Sequence, residues 1–305
     1  DTSWAYHNTA SETAVQKCLA SRYPRERFVL ASKLPTFAIT REEEVEPLFA
    51  GQLARCGVDY FDYYLLHNVN WMRYTRIIRE AHLFDHMKRW KEIALNYFDW
   101  DARYIQARAC YETIRKHGKQ VIVMEPVKGG MLAKAPAGAE QQMQMLRPGD
   151  SAVAWALRFA ADPDGVLAVL SGMSDTAQME QNIATFRCFQ PLTAAERETL
   201  RQAARLYRES GPAATADFTP YEGIGPEGVS AADILDTWNA CMIQPDPTFG
   251  AEGNYFSCQK AKRGLRQVDR CISGPVILAD GTDVTERVRR AEDFLNEHTF
   301  FQYQF

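Results

Sequence analysis

The run Tyr60-Phe61-Asp62-Tyr63-Tyr64-Leu65-Leu66-His67 decides the fold. Aromatic and aliphatic residues fill it, as in a buried strand, and it stops on a side chain able to do chemistry. A second run, Phe28-Val29-Leu30-Ala31-Ser32-Lys33-Leu34, is likewise apolar up to a lysine near its end. The opening Asp1-Thr2-Ser3-Trp4-Ala5-Tyr6-His7 adds a carboxylate and a tyrosine. Asp1, Tyr6, Lys33 and His67 therefore each sit at or just past the C-terminal end of a strand-like segment. In a parallel α/β barrel, chemistry is built on that face.

Working outward, strands are expected over residues 27–34, 60–66, 93–98, 120–124 and 165–170. Helical patterns fall between them, over 11–23, 71–90, 102–116, 151–161, 176–186 and 193–209. Ser11 with Glu12 suits entry to the first helix. Thr40 followed by Glu43 is a capping-box candidate for another helix that runs to Cys56. Strands alternating with helices indicate a parallel sheet covered on both faces, and the apolar runs show the weak alternation such strands have. After residue 209 the composition changes. Residues 211–228 are rich in Gly, Pro, Ala and Thr and read as an irregular connection. Two helical patterns, 231–240 and 284–298, then form a small appendage. The expected domains are a barrel over 1–209 and a helical appendage over 210–305.

The 305 residues carry a net charge of −4 and no run of basic residues. A nucleic-acid partner is not expected. No apolar stretch approaches the roughly 18 to 20 residues that span a bilayer, so no membrane segment is expected. Seven cysteines are dispersed without a CxxC pair, which fits a reducing cytoplasm better than a disulfide framework.

Carbonyl reduction needs a hydride at carbon and a proton at oxygen. A tyrosine is a poor acid alone, but a neighbouring ammonium favours its phenolate and a carboxylate holds that ammonium in place. A histidine can orient the carbonyl oxygen and stabilise developing charge. Asp1, Tyr6, Lys33 and His67 supply each role once and form the candidate catalytic set. Taken singly, each also suits a turn, a solvated strand end or a hydrogen-bonded core histidine.

These motifs resemble the aldo-keto reductases. The matching stretches are Asp1-Thr2-x-x-x-Tyr6 with Ser11-Glu12, Ala31-Ser32-Lys33-Leu34 and Gly57-Val58-Asp59 leading into the run that ends at His67. Further on come Leu95-Asn96-Tyr97-Phe98-Asp99-Trp100, Val123-Met124-Glu125-Pro126-Val127-Lys128-Gly129-Gly130 and Ser171-Gly172-Met173-Ser174. The resemblance runs in order from residue 1 to about 205. It is nearest to a bacterial branch in which a ferredoxin-like, iron–sulfur tail follows the barrel. It implies a (β/α)8 TIM barrel and an NADP- or NAD-dependent carbonyl reductase acting on a small carbonyl or alcohol. In that reading Tyr6 is the acid/base, Lys33 and Asp1 tune it, and His67 orients substrate.

The resemblance also implies cofactor contacts. Met124, Pro126 and Val127 would lie under the nicotinamide, and a polarizable methionine suits that position. Lys128, Gly129 and Gly130 would lie at the pyrophosphate, where glycines allow close backbone approach. Gly172, Met173, Ser174, Gln178 and Asn182 would hold the adenine end, with Gln178 standing where many members carry arginine. Glu92 takes the place of a glutamine that binds the carboxamide. No Rossmann fingerprint is present, and the barrel family needs none.

Three departures stand out. Asp1 lies at the tip of what would be the second barrel strand, so the sequence is expected to be a subset of a longer chain or a natural truncation. A strand–helix unit of the family is missing between Lys91 and Ile93, leaving an incomplete barrel. In the tail, Pro226-Glu227-Gly228-Val229 and Val268-Asp269-Arg270-Cys271 match the flanks of cluster motifs, but only Cys271 remains of the ligands. A [4Fe-4S] cluster takes four thiolates, so no iron–sulfur cluster and no metal is expected. The competing readings are a non-catalytic barrel relative serving as a binding or regulatory subunit, and an electron-transfer protein. Trp4, Trp71 and Trp100 fall near the strand C-terminal face and are candidates for an apolar or sugar-stacking substrate wall.

Overall fold

Lys33 lies in the first of several short strands and His67 directly follows the second, with helices between strands in the chain. A computed structural model describes residues 1–67, 91–105, 107–116, 118–248 and 256–298. The expected helix over 71–90, with Trp71, lies outside the described residues, as do the side chains of 91–94. The described chain divides into two compact units, residues 1–92 with 116–122, and residues 93–115 with 123–305.

In the first unit, α1 (Ser11–Val15) continues as a π-helical turn over Gln16–Ala20. Strand β1 (Ala31–Leu34) is buried along its whole length, lysine included. Helix α2 (Val45–Cys56) follows, then strand β2 (Tyr63–Leu66). The two strands are parallel, with Lys33 opposite Leu65 and Leu34 opposite Leu66. Their common end is extended by the His67 amide, which donates to the Leu34 carbonyl at 2.9 Å. Helix α2 is preceded by a 3-10 turn, Glu42–Glu44. Its entry is closed by Glu44 rather than Glu43, because the Glu44 carboxylate accepts from the Thr40 amide at 2.8 Å and hydroxyl at 3.0 Å. The helix stops at Gly57, whose φ of +67° only glycine adopts freely and where an added Cβ would lie 2.8 Å from Gln16 Cγ.

A second sheet has the order β3 (Lys91–Ala94), β4 (Val121–Met124), β5 (Val166–Val169). In the second unit the Leu95 amide donates to the Met124 carbonyl and the Leu170 amide to the Val123 carbonyl. Strand β3 ends at Ala94, short of the expected Phe98. The Asn96 side-chain oxygen captures the amides of Phe98 at 3.1 Å and Asp99 at 2.9 Å, which turns the chain away from the ladder. The next helix, α3 (Ala107–Lys116), accordingly starts later than residue 102.

Helix α4 (Ala137–Leu146) has no counterpart among the expected elements. Its Ala-Gly-Ala-Glu-Gln-Gln composition hides a stripe of Ala139, Met143 and Leu146 that packs in the core with Trp155 and Leu200. Helices α5 (Ala152–Ala161), α6 (Thr176–Arg187) and α7 (Ala194–Ser210) follow as expected. Each begins on a capping side chain, Ser151, Asp175 and Thr193 in turn. A separate apolar cluster joins α8 (Ala231–Met242), α9 (Phe256–Lys262) and α10 (Thr285–His298), with Ile234, Leu235, Phe256, Val288 and Leu295 at its centre. Among the described residues no helix is long and apolar enough to cross a membrane.

Candidate functional site

Strand register brings Lys33 and His67 to the same end of the β1–β2 pair. The segment before α1 lies beside β1, its Thr2 amide donating to the Ala31 carbonyl at 2.8 Å. Asp1 is thereby carried to Lys33, whose Nζ donates to Asp1 Oδ2 at 2.6 Å. The lysine is fully buried, and its Nζ stands 4.7 Å from the centre of the Tyr6 ring. The Tyr6 and His67 rings meet edge to face at 5.6 Å. Four residues scattered over the first 67 positions thus form one cluster.

His67 is oriented by residues that the sequence reading passed over. Its Nδ1 is 2.9 Å from Ser3 Oγ, and its carbonyl accepts from the Thr36 hydroxyl at 2.7 Å. Phe37 lies edge-on to the imidazole at 5.7 Å and next to Trp4 at 6.1 Å. Trp4 and Phe37 therefore line one side of the cluster. Ser3 sits inside the opening motif, so its position was a usable signal. Phe37 follows the strand by a 3-10 turn and carries no pattern of its own.

A second buried network lies behind Lys33. Glu12 lies in the first turn of α1, as expected, and is fully buried. One of its oxygens accepts from Gln52 Nε2 at 2.6 Å and Ser32 Oγ at 3.3 Å, and the other from Arg55 Nε at 2.7 Å. Gln52 Nε2 also reaches the Lys33 carbonyl at 3.1 Å, and its side-chain oxygen accepts from the Tyr64 hydroxyl. Burial, reinforced by the Glu12 carboxylate, pushes the Cys56 thiol up to about 12 and raises the Tyr64 phenol well above its ordinary value.

The residues expected at a cofactor lie in the second unit. Gly129 and Gly130 take φ of +60° and +93°, and a Cβ added at either meets nothing within 4 Å. That turn leaves open backbone, the arrangement a phosphate-bearing group requires. Lys128 does not offer its charge to such a group. Its side chain is buried, and Nζ donates to both Asp99 oxygens at 2.9 and 2.8 Å. Asp99 also accepts from the Tyr104 hydroxyl at 2.6 Å and Asn96 Nδ2 at 2.9 Å. Pro126 is buried and Met124 and Val127 are half-buried. In the loop before α6, Gly172 has open space about it and Met173 is exposed. Gln178 accepts from the Ser174 amide at 3.0 Å, and Asn182 donates to Ser171 Oγ at 3.1 Å. Both side chains therefore shape the loop.

The second unit also holds a cleft of about 890 Å³ walled by Trp100, Arg108, Tyr111, Asp162, Arg197 and Arg208. Its charges are matched internally: Arg108 with Asp101, Arg197 with Asp162, Arg208 with Asp236. Trp100 packs there against Tyr111 and Phe159. Volume alone does not make it the functional site, although the buried Tyr97 hydroxyl and Asp236 Oδ1 of its lining residues lack hydrogen-bond partners among the described residues. Among the described residues no group of three or more His, Cys, Asp or Glu side chains is placed to hold a metal ion.

The model of the Aldo/keto reductase family matches residues 1–92 and 70–205. An aldo-keto reductase of Klebsiella pneumoniae, solved in complex with NADPH, is 20% identical, over 66% of this chain and 78% of its own, with a TM-score of 0.51. An aldo-keto reductase of Bacillus halodurans in its holo form is 21% identical, over 63% of this chain and 76% of its own, with a TM-score of 0.49. No curated protein matches. The fold is that of the (β/α)8 barrel. Five of its strands stand in two sheets among the described residues, an incomplete barrel as the sequence leads one to expect.

Proposed function

The chain belongs to the aldo/keto reductase family and is an oxidoreductase, and from that premise we propose that Asp1, Tyr6, Lys33 and His67 reduce a small aldehyde or ketone, or oxidise the alcohol. The observation that carries this reading is Lys33: a fully buried ammonium, held by Asp1 at 2.6 Å and set 4.7 Å from the Tyr6 ring. Burying a lysine is costly unless its charge is matched. Supporting a tyrosine that gives up its proton is a use for that charge.

In the forward direction the Tyr6 hydroxyl gives its proton to the carbonyl oxygen, and the phenolate left behind faces the Lys33 ammonium. Asp1 holds Lys33 in place. His67, oriented through Nδ1 by Ser3, aligns the carbonyl oxygen. Trp4 and Phe37 give the carbonyl's substituent an aromatic wall, which favours aryl or apolar aldehydes. A nicotinamide dinucleotide, NADPH or NADH, supplies the hydride when bound.

Support for that cofactor comes from the open left-handed turn at Gly129 and Gly130 and from the NADPH held by the Klebsiella relative. Met124, Pro126 and Val127 are assigned to the nicotinamide, and Gly172, Met173, Ser174, Gln178 and Asn182 to the adenosine. Lys128 is assigned to this segment through its backbone, its ammonium being committed to Asp99. We take 1–209 as the barrel and 210–305 as an appendage akin to the ferredoxin-like tail of the bacterial branch, without its cluster. The dispersed cysteines favour a cytoplasmic setting. Purified protein is then colourless, and a brown preparation carrying iron would overturn that part.

The test is tryptophan fluorescence during titration with NADPH and NADH, followed by cofactor consumption with a panel of aromatic and aliphatic aldehydes. Binding with turnover supports the reading. Binding without turnover on any carbonyl favours the non-catalytic relative, and no response to either dinucleotide refutes both the cofactor and the activity.

A further inference from the structure

Tyr6, Lys33, Asp1 and His67 stand on one side of β1. On the other side, Gln52 of α2 is fully buried beneath the same strand, where a leucine would pack at lower cost. Its amide nitrogen lies 2.6 Å from Glu12 Oε1, 3.1 Å from the Lys33 carbonyl and 3.2 Å from Ser32 Oγ. An amide nitrogen has only two hydrogens. The geometry commits one to the Glu12 carboxylate and the other to the strand. The amide oxygen is occupied as well, accepting from the Tyr64 hydroxyl of β2. Glu12 in turn is anchored by Arg55 at 2.7 Å.

We infer that Gln52 is a positioning residue for Lys33, fixing the strand carbonyl at that residue so that the ammonium stays between Asp1 and the Tyr6 ring. The inference rests on the proposed reductase chemistry at that cluster. Successive side chains of a strand point to opposite faces. Ser32 therefore faces Gln52 and Glu12, while Lys33 faces Asp1 and Tyr6. A bond to the main chain between them sets the lysine's origin without touching its side chain. Two independent constraints meet at that peptide: the register with Leu65 on β2 and the Gln52 amide. Neither Glu12 nor Gln52 reaches the reacting atoms. Their effect passes through the place of the Lys33 backbone.

The network is polar where packing alone calls for apolar residues; the buried side-chain atoms of Gln52 and Glu12 are all hydrogen-bonded, and Arg55 Nη2 has no hydrogen-bond partner among the described residues. Such networks fix one arrangement because each alternative leaves a buried polar atom without a partner. Tyr64 ties the assembly to the strand that ends on His67. Gln52 thus joins the two strands that carry Lys33 and His67 through α2.

The test is Gln52→Met, nearly isosteric and without a donor, with Tyr64→Phe as a milder second variant that removes only the bond to the Gln52 oxygen. Misplacement of a reacting group by about 1 Å costs about 10²-fold in rate. Gln52→Met should therefore lose about 10- to 100-fold in kcat, with NADPH affinity and carbonyl KM changed by less than about threefold. Tyr64→Phe should lose about two- to fivefold, on the order of one neutral hydrogen bond. In the alcohol-oxidising direction the pH profile of Gln52→Met should move to alkaline pH, because a displaced ammonium supports the phenolate less. Gln52→Asn, which keeps a shorter amide, should recover part of kcat. A Gln52→Met protein with wild-type kcat and an unmoved profile overturns the inference. So does a parallel loss of kcat and cofactor affinity, which marks general damage. If Gln52→Met does not fold, an unchanged kcat in Tyr64→Phe overturns it. Absence of turnover in the wild-type protein would instead refute the reductase reading itself.

Discussion

Lys128→Met separates a structural from a cofactor-binding lysine. The Asp99 carboxylate is fully buried, and Lys128 is 5% exposed. Breaking such a pair by removing one partner costs about 3–5 kcal/mol, because the remaining charge is buried without compensation. Asp99 keeps the Tyr104 hydroxyl and the Asn96 amide, so the lower end, about 3 kcal/mol, applies. For a chain of 305 residues that is roughly 5 °C in Tm. The deficit should depend on pH. Burial pushes the Asp99 carboxyl up, but the Lys128 ammonium and the hydrogen bonds bring it below the usual carboxylate range. A carboxyl held lower in the folded state stabilises above its unfolded pKa and loses that contribution as pH falls through the folded value. The gap between wild type and variant should be widest near neutral pH and narrow on acidification. Circular dichroism melts across that range measure it. A variant melting within about 2 °C of wild type, with dinucleotide affinity reduced at least tenfold, would show that the lysine serves the cofactor and not the core.

Other consequences concern the tail and the thiols. Lys260, 1% exposed, donates to the carbonyls of Gln267 and Asp269 and to Asn296 Oδ1 at 2.6–2.7 Å. Lys260→Met should loosen residues 265–271 by about 2 kcal/mol, near 30-fold in amide hydrogen exchange, and unchanged exchange would contradict this. Burial, followed by the Glu292 charge, pushes the Cys271 thiol up to about 12. Its alkylation should run about 10³-fold slower than an ordinary thiol's near pH 8 and still rise with pH near 10. A plateau near pH 9, read by peptide mass spectrometry, would contradict that value. Lys33→Met should reduce turnover about as severely as loss of the tyrosine hydroxyl, with dinucleotide binding retained; near-wild-type kcat would remove Lys33 from the chemistry.

Strand–helix alternation was legible because the strands are short, largely apolar runs, buried at 31–34 and 121–124 and partly buried at 63–66 and 166–169. The end of β3 was not, because the Asn96 side chain decides it and a hydrophobicity pattern continues through Phe98. Helix α4 was missed because its Ala–Gly–Gln composition carries a weak stripe. At the site, the meeting of Asp1, Lys33, Tyr6 and His67 followed from their positions at strand ends. Gln52 and Arg55 gave no signal, since polar residues on a helix usually face water and only burial reveals their partners. Lys128 shows the opposite failure: a lysine before paired glycines suggests an anion, yet its nearest anion is Asp99 of its own unit.

The most direct test of the central claim is the turnover of Tyr6→Phe against wild type on one aldehyde with saturating dinucleotide, alongside dinucleotide affinity by fluorescence. Only the phenolic oxygen is removed, so the ring beside His67 and above Lys33 remains. General acid catalysis contributes about 10²–10⁴-fold, and kcat should fall at least that far while the dissociation constant stays within about twofold. A Tyr6→Phe protein that reduces the aldehyde at the wild-type rate would contradict the assignment of Tyr6 as proton donor.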